Sequence, residues 1–334
     1  MLRIATVLRY LQTNYFTMFK ESLRFFTFFI VSLSFVFCTK TDEDNNDTNG
    51  DDDIPVVIDN SPGANFDLSN WKLSVPVDRG DGIATDVSVY ELNNGYEDED
   101  YFYMSDDGGM VFKCPISGPK TSANTSYTRT ELREMLRGTN TGISTQGVNG
   151  NNWVFGSAPQ ADIDAAGGYD GLLEATLAVN HVTTTGNSSQ VGRVIIGQIH
   201  ANDNEPCRLY YRKLPGHTKG SIYAAHEPAE GYGDEVYDAI IGSRSSSADE
   251  PEDGIALNEK FSYKIEVQDH YLRVVIQREG KEDVSSGALN MENSGYTSGG
   301  KYQYFKAGVY NQNNTGDADD YVQATFYALK QSHK

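Results

Sequence analysis

Basic residues are scarce in this 334-residue chain: 27 Lys and Arg stand against 47 Asp and Glu, a formal net charge of −20 at pH 7. So acidic a surface argues against nucleic acid or an anionic membrane as a partner. It still allows a polyanionic ligand, provided that cations gather in a local groove. Cysteine is nearly absent, with three residues, and their spacing fits no zinc site. Cys114 and Cys207 are left either as a disulfide, in an oxidising compartment, or as two separate buried thiols. No long segment carries a 3.6-residue apolar stripe, which leaves little room for long amphipathic helices. Nor does any apolar run reach the ~20 residues needed to span a bilayer.

The main apolar run, residues 25–37 (FFTFFIVSLSFVF), fits a signal h-region, with Lys20 and Arg24 as its positive flank and Met18 as an alternative start. It ends at Cys38, which resembles the acceptor cysteine of bacterial lipoproteins, although Phe37 stands where a small residue is usual. The Asp- and Asn-rich segment Lys40–Asp53 resembles the acidic export tag on surface lipoproteins of the Bacteroidetes type. Residues 1–38 are therefore expected to be a signal peptide with Cys38 as lipid acceptor, giving an outer-membrane or cell-surface protein. Free secretion is the alternative. Residues 39–60 hold too little apolar surface to order themselves and read as a disordered tether. Residues 61–334 read as one domain without repeats, expected to be monomeric.

What the chain has in quantity is tyrosine, at 21, and glycine, at 32. Strands favour the first and turns the second. Period-two or β-rich runs predict strands over Asn70–Val75, Tyr127–Arg137, Leu172–Asn180, Val191–His200 and Arg208–Lys213. Further ones are predicted over Phe261–Val267, Tyr271–Arg278, Tyr302–Tyr310 and Tyr321–Leu329. Ser243–Asp253 reads as a surface loop. The fold class that follows is all-β: a jelly-roll sandwich of two curved antiparallel sheets, with a concave groove for an extended chain.

Three segments carry candidate chemistry. In Arg129-Thr130-Glu131-Leu132-Arg133 strand parity puts Arg129, Glu131 and Arg133 on one face, a row suited to gripping a carboxylate, with Glu131 orienting its neighbours. A solvated salt-bridge ladder would look the same. In Gln198-Ile199-His200 the polar pair shares a face and Ile199 enters the core. Val194 and Ile196 are expected on the face of Gln198, so that face turns polar only near the strand's end. In Tyr304–Gln312 (YFKAGVYNQ), Lys306, Gly308 and Tyr310 share a face, and Gly308 is expected to leave room for a ligand. A Gly at a strand bend is the plainer explanation.

Together and in this order, RTELR, QIH and YFKAGVYNQ resemble the three motif regions of polysaccharide lyase family 7, the alginate lyases. Leu68–Val77 (LSNWKLSVPV), Phe112-Lys113-Cys114-Pro115 and Glu134-Met135 share the resemblance, which covers roughly residues 65–330. The stretch from His200 to Phe261 matches less well. The resemblance implies cleavage of the 1,4-linkages of alginate by β-elimination, giving unsaturated uronate oligosaccharides. It assigns neutralisation of the substrate carboxylate to Arg129, Gln198 and His200, and proton transfer to Tyr310. Arg133, Glu131, Lys306, Asn311 and Gln312 would bind substrate. Neither metal nor other cofactor is called for, because side chains do the electrostatic work.

Free tyrosine titrates near ~10, so a phenolate role for Tyr310 needs cations, for which Arg129, Arg133 and Lys306 are the candidates. In mannuronate H5 and O4 lie on one face, so Tyr310 could serve as base and acid. In guluronate they lie on opposite faces, so His200 would be base and Tyr310 acid. Ile199 in QIH inclines the expectation towards guluronate-containing chains. His181, His217, His226, His270 and His333 match no motif and read as surface or packing residues. Tyr210 and Tyr211 read as sheet packing, with sugar stacking as the alternative. Three rivals stay open: a non-catalytic carbohydrate-binding jelly roll, a lyase acting on another polyuronate, and a jelly-roll glycoside hydrolase. The last needs two acids flanking one bond, and the acidic run Glu97–Asp100 reads as a loop rather than as such a strand.

Overall fold

The computed structural model describes residues 60–202 and 204–334. The expected signal run, Cys38 and the tether up to residue 59 lie outside the described residues. In chain order the strands are β1 (Trp71–Asp78), β2 (Ala84–Val87), β3 (Phe102–Met104), β4 (Met110–Pro115), β5 (Arg129–Glu134) and β6 (Gly171–His181). Then come β7 (Arg193–His200), β8 (Cys207–Arg212), β9 (Lys219–His226), β10 (Val236–Ile241), β11 (Ile255–Ala256) and β12 (Phe261–Gln268). The last are β13 (Tyr271–Gln277), β14 (Val284–Ser285), β15 (Leu289–Asn290), β16 (Tyr304–Asn311) and β17 (Tyr321–Ser332). Among the described residues the helices are single short turns such as Gln160–Ala165, and none is long and apolar enough to cross a membrane.

These strands form two antiparallel sheets. One runs β10-β9-β8-β7-β16-β5-β1-β2, with β11 on β9; the other runs β14-β13-β12-β6-β17-β4-β3, with β15 on β13. This is the expected jelly-roll sandwich. The alternation of β12 (Phe261, Tyr263, Ile265 and Val267 buried, with the residues between them less so) gives its sheet an inner and an outer face. Those side chains meet Leu132, Ile196, Ile199, Phe305, Ala307 and Val309 of the larger sheet in one continuous core. Each large apolar side chain buried there contributes ~1.5–3 kcal/mol. In β7 and β16 the outward residues are also largely buried, so that something on the outer face covers them. Ser243–Asp253 is a loop, as expected, between β10 and β11.

One expectation about β7 fails. Val194 and Ile196 belong to the core rather than to the face of Gln198. The cause is a β-bulge: the register of β7 on β8 shifts between Ile195 and Gly197. A Cβ at Gly197 would meet the Tyr263 hydroxyl at 2.7 Å, so Ile196 and Gly197 both point inward. Ile195, Gln198 and His200 are left facing out. Of the two readings open for the cysteines, separate buried thiols is the one found. Cys114 on β4 and Cys207 on β8 are both free and buried, on strands of different sheets. Burial pushes both thiols up to about 12, so they are packing residues rather than nucleophiles.

The C-terminus is tied to the site strands. The Glu134 carboxylate accepts from the Phe305 backbone N–H at 2.9 Å and sits 2.7 Å from His333, whose other ring nitrogen meets the Asp170 carbonyl. His333 is thus a packing residue, as read from the sequence. Its link to Glu134 pins the start of β16 against the end of β5.

Candidate active site

Sheet order does what no single segment could. The three motif strands are neighbours, β7-β16-β5. Across them Tyr304 lies opposite His200, Lys306 opposite both Gln198 and Arg133, and Tyr310 opposite both Ile195 and Arg129. The polar side chains of three distant segments therefore share the outer face of one sheet. Arg129, Arg133, His200 and Lys306 line a cavity of about 440 Å³ there.

At the centre is Glu131, 2% exposed. It accepts from Arg129 Nη1 at 3.0 Å, from the Lys306 ammonium and from the Gln198 amide. Burial opposes its charge, but Lys306 and Arg129 outweigh this and hold the carboxyl below its usual range. Lys306 is pushed down to about 8 by burial and by Arg129, with Glu131 opposing. The pair is therefore ionic at neutral pH, and Lys306 is the cation that titrates first.

The Arg129 guanidinium lies over the Tyr310 ring, 3.7 Å from its centroid. Burial raises the phenol's pKa and Arg129 only partly offsets this, so Tyr310 holds its proton. The expected cation trio does not form around it. Arg133 sits instead over Tyr304, 3.9 Å from that centroid, with its guanidinium held by the Thr145 carbonyl at 2.7 Å and Asn152 Oδ1 at 3.2 Å. Lys306 is taken by Glu131.

His200 stacks on Tyr304 with ring centroids 5.0 Å apart. Its Nδ1 faces the Ala201 carbonyl at 2.8 Å and its Nε2 faces Glu205 at 3.2 Å. The ring is thus held by an oxygen at each nitrogen. Burial raises Glu205, but His200 and Arg208 override it and bring the carboxyl down to about 2.

Two of the substrate-binding residues that the resemblance implies do not face the groove. Asn311 is fully buried, its amide donating to the Cys114 carbonyl at 3.4 Å and its oxygen accepting from the Asn313 N–H. Gln312 turns back to the Asn311 carbonyl at 3.5 Å. Neither lines the cavity. Glu131 is a buried anion that cannot itself take up another, so its part is to hold the cations. Gly308 leaves no room for a ligand, because a Cβ there would meet the Thr130 carbonyl at 2.6 Å and Glu131 Cα at 2.9 Å. Its φ of +136° and the backbone of β5 require glycine.

Sequence reasoning missed Lys72, Ser74, Arg79, Asp86, Asn202 and Glu205. All but Glu205 line the cavity. Lys72 and Ser74 were within reach: alternation in WKLSVPV sets them opposite the core residues Trp71, Leu73 and Val75. Asp86 binds Lys72 at 2.5 Å and Ser74 at 2.8 Å, forming one wall. Among the described residues no cluster of three or more His, Cys, Asp or Glu is arranged to hold a metal ion.

Comparison with known proteins places this arrangement in context. A family model described as alginate lyase matches residues 66–333. An alginate lyase of Klebsiella pneumoniae is 58% identical over 281 residues, 82% of this chain and 91% of that protein. The crystal structure of the alginate lyase from that organism superposes with a TM-score of 0.81, covering 82% of this chain and 99% of that one. The alginate lyase A1-II′, of polysaccharide lyase family 7, is 26% identical with a TM-score of 0.60 (82% and 99% covered), and a variant of it has been solved with the product GGG. The exolytic family 7 enzyme AlyA5 of Zobellia galactanivorans is 25% identical, with a TM-score of 0.61 and 82% and 98% covered.

Proposed function

The chain belongs to the alginate lyase family, polysaccharide lyase family 7, and from this premise we propose how its groove residues divide the work of β-elimination. The protein is an alginate lyase. What the reaction demands is set by the substrate. The proton on C5 lies α to an ionised carboxylate, so its removal would place a second negative charge on that group. Cations already fixed in place relieve this, because they need not reorganise as the charge develops.

Arg129 is the principal neutralising group, with Lys306 beside it and the second amide N–H of Gln198 as a further donor. The one observation that carries this division is the Arg129 guanidinium stacked on Tyr310 and anchored by Glu131. It puts a carboxylate-binding cation beside a phenol that has kept its proton. Tyr310 then protonates the departing O4, acting as the general acid. On guluronate His200 takes the C5 proton from the opposite face, once Nε2 turns from Glu205 to the sugar and carries no proton. On mannuronate, where both bonds lie on one face, Tyr310 serves in both steps. A phenol held protonated is better suited to the acid role alone, which supports the lean towards guluronate.

Export belongs to the same reading. The apolar run 25–37 followed by Cys38 makes the enzyme a surface lipoprotein or, failing acylation, a secreted one, working as a monomer on polymer outside the cell. The test of the lean is turnover on separated blocks. The ultraviolet absorbance of the new C4–C5 double bond should rise faster on polyguluronate than on polymannuronate. A faster rise on polymannuronate would reverse the assignment of His200 as base.

A further inference from the structure

Beyond Tyr310 the outer face of the same sheet continues into a second cavity, of about 600 Å³, lined by Arg193, Arg212, Arg244, Tyr210, Tyr223 and Tyr237 among others. Its floor is a row across the strands. Tyr310 on β16 lies opposite Ile195 on β7, Ile195 opposite Tyr210 on β8, and Tyr210 opposite Tyr223 on β9. Tyr210 and Tyr223 stack with centroids 4.7 Å apart, and Tyr310 packs against the same cluster. Two residues along each strand, Arg193 lies opposite Arg212, so a row of guanidiniums runs beside the row of rings. Arg244, exposed on the loop after β10, lies 4.0 Å over the ring of Tyr237.

These three arginines share one property: among the described residues none has a carboxylate partner. What Arg212 and Arg193 hold is backbone. Arg212 donates to the Arg244 and Ser188 carbonyls at 2.6 and 2.5 Å, and Arg193 to the Gln312 carbonyl at 3.0 Å. Arg212 is 4% exposed, and its Nε, like that of Arg193, is buried without a hydrogen-bond partner. Burial and the charge of Arg193 push Arg212 below its usual pKa, so these two guanidiniums repel each other. In a chain with 47 acidic residues, three guanidiniums around one cavity could readily have been neutralised. Arg208, on the same strand as Arg212, is met by Glu205, Glu227 and Glu235. The contrast marks charge left for a ligand.

We propose that this cavity is a distal uronate-binding lobe, in which Arg193, Arg212 and Arg244 take the carboxylates of sugars further along the chain from the one being cleaved. The proposal rests on the alginate reading above and deepens it. Strands are ~4.8 Å apart, so β8 and β9 lie roughly 10 and 14 Å from β16, a reach of roughly two or three sugar rings across the sheet. A chain lying over the strands would therefore bridge from the Arg129 cavity past Tyr310 into this one. Planar guanidiniums suit repeated carboxylates because each can donate two parallel hydrogen bonds.

The test compares defined guluronate tri- and hexasaccharides on the wild-type enzyme and on Arg244→Glu and Arg193→Gln. Arg244 is exposed and its side chain supports no backbone, so its variant should fold. A charge-assisted contact is worth about tenfold or more in binding. The kcat/KM for the hexasaccharide should accordingly fall about tenfold more than that for the trisaccharide, mainly through KM. Binding of the hexasaccharide to Tyr310→Phe protein, read by calorimetry, should weaken to a similar extent when Arg244→Glu is added. Losses that are equal for the two lengths, or unchanged hexasaccharide affinity, would overturn the lobe. The two readings fail differently: a wild-type enzyme that leaves alginate uncut sinks the reaction, whereas length-independent losses sink the lobe alone.

Discussion

Two groups of cations share the outer face of one sheet and meet anions in opposite ways. Around Tyr310 and Lys306 the protein supplies its own anion: Glu131 binds Arg129, Lys306 and Gln198 at once. Around Tyr210 and Tyr223 it supplies none, and Arg193, Arg212 and Arg244 face a cavity with only carbonyls to hold two of them. The difference separates chemistry from grip. Where a bond is broken, the neutralising cation must already be in place, since reorganising it would add to the barrier. A buried carboxylate fixes it. Where a chain is only held, an internal anion would compete with the ligand's.

The comparison breaks most severely if the reacting cavity is made to resemble the distal one. Glu131→Gln leaves Arg129 and Lys306 buried without their counter-charge, and removing one partner of a buried pair costs about 3–5 kcal/mol. Urea denaturation should show a loss of that size at pH 7. A loss under about 1 kcal/mol, within the range of ordinary surface substitutions and weak pairs, would mean that Glu131 organises nothing. No distal arginine should cost as much, since none has an internal anion to abandon.

A smaller effect sharpens the contrast by pH. Lys306 sits at about 8 and so loses its charge as the pH rises through that value. Alginate affinity should therefore decline on the alkaline side of pH 8, seen as a rising KM. Arg stays protonated at any accessible pH, so Lys306→Arg should move that limb upward. A limb that stays in place would assign it to another group.

Much of this fold could be read from period-two patterns, and the misreadings have identifiable causes. The strand over Val191–His200 was legible, but the direction of its residues was not, because Ile196 and Gly197 form a bulge that reverses parity. A glycine inside a strand is the one available hint of that. The polar run after Tyr310 looked like groove and turned out to be core: Asn311 caps the Cys114 carbonyl, a partner nearly two hundred positions away. Glu205 reaches His200 from beyond the end of β7, where the Ala201 N–H meets the Asn204 carbonyl. The distal arginines were invisible for a different reason. Each alone reads as a solvated cation: sheet pairing sets Arg193 on β7 against Arg212 on β8, and Arg244 joins them from the loop after β10.

The central claim is that Tyr310 gives a proton to the leaving oxygen while Arg129, stacked on its ring, holds the carboxylate. Tyr310→Phe keeps the ring under Arg129 and removes only the hydroxyl, so it separates the two parts. At saturating alginate kcat should fall by roughly 10²–10⁴-fold, the usual share of a general acid, while oligosaccharide affinity stays within about threefold, ~0.65 kcal/mol. Turnover close to the wild-type rate would contradict the account, and so would a loss that lay wholly in binding.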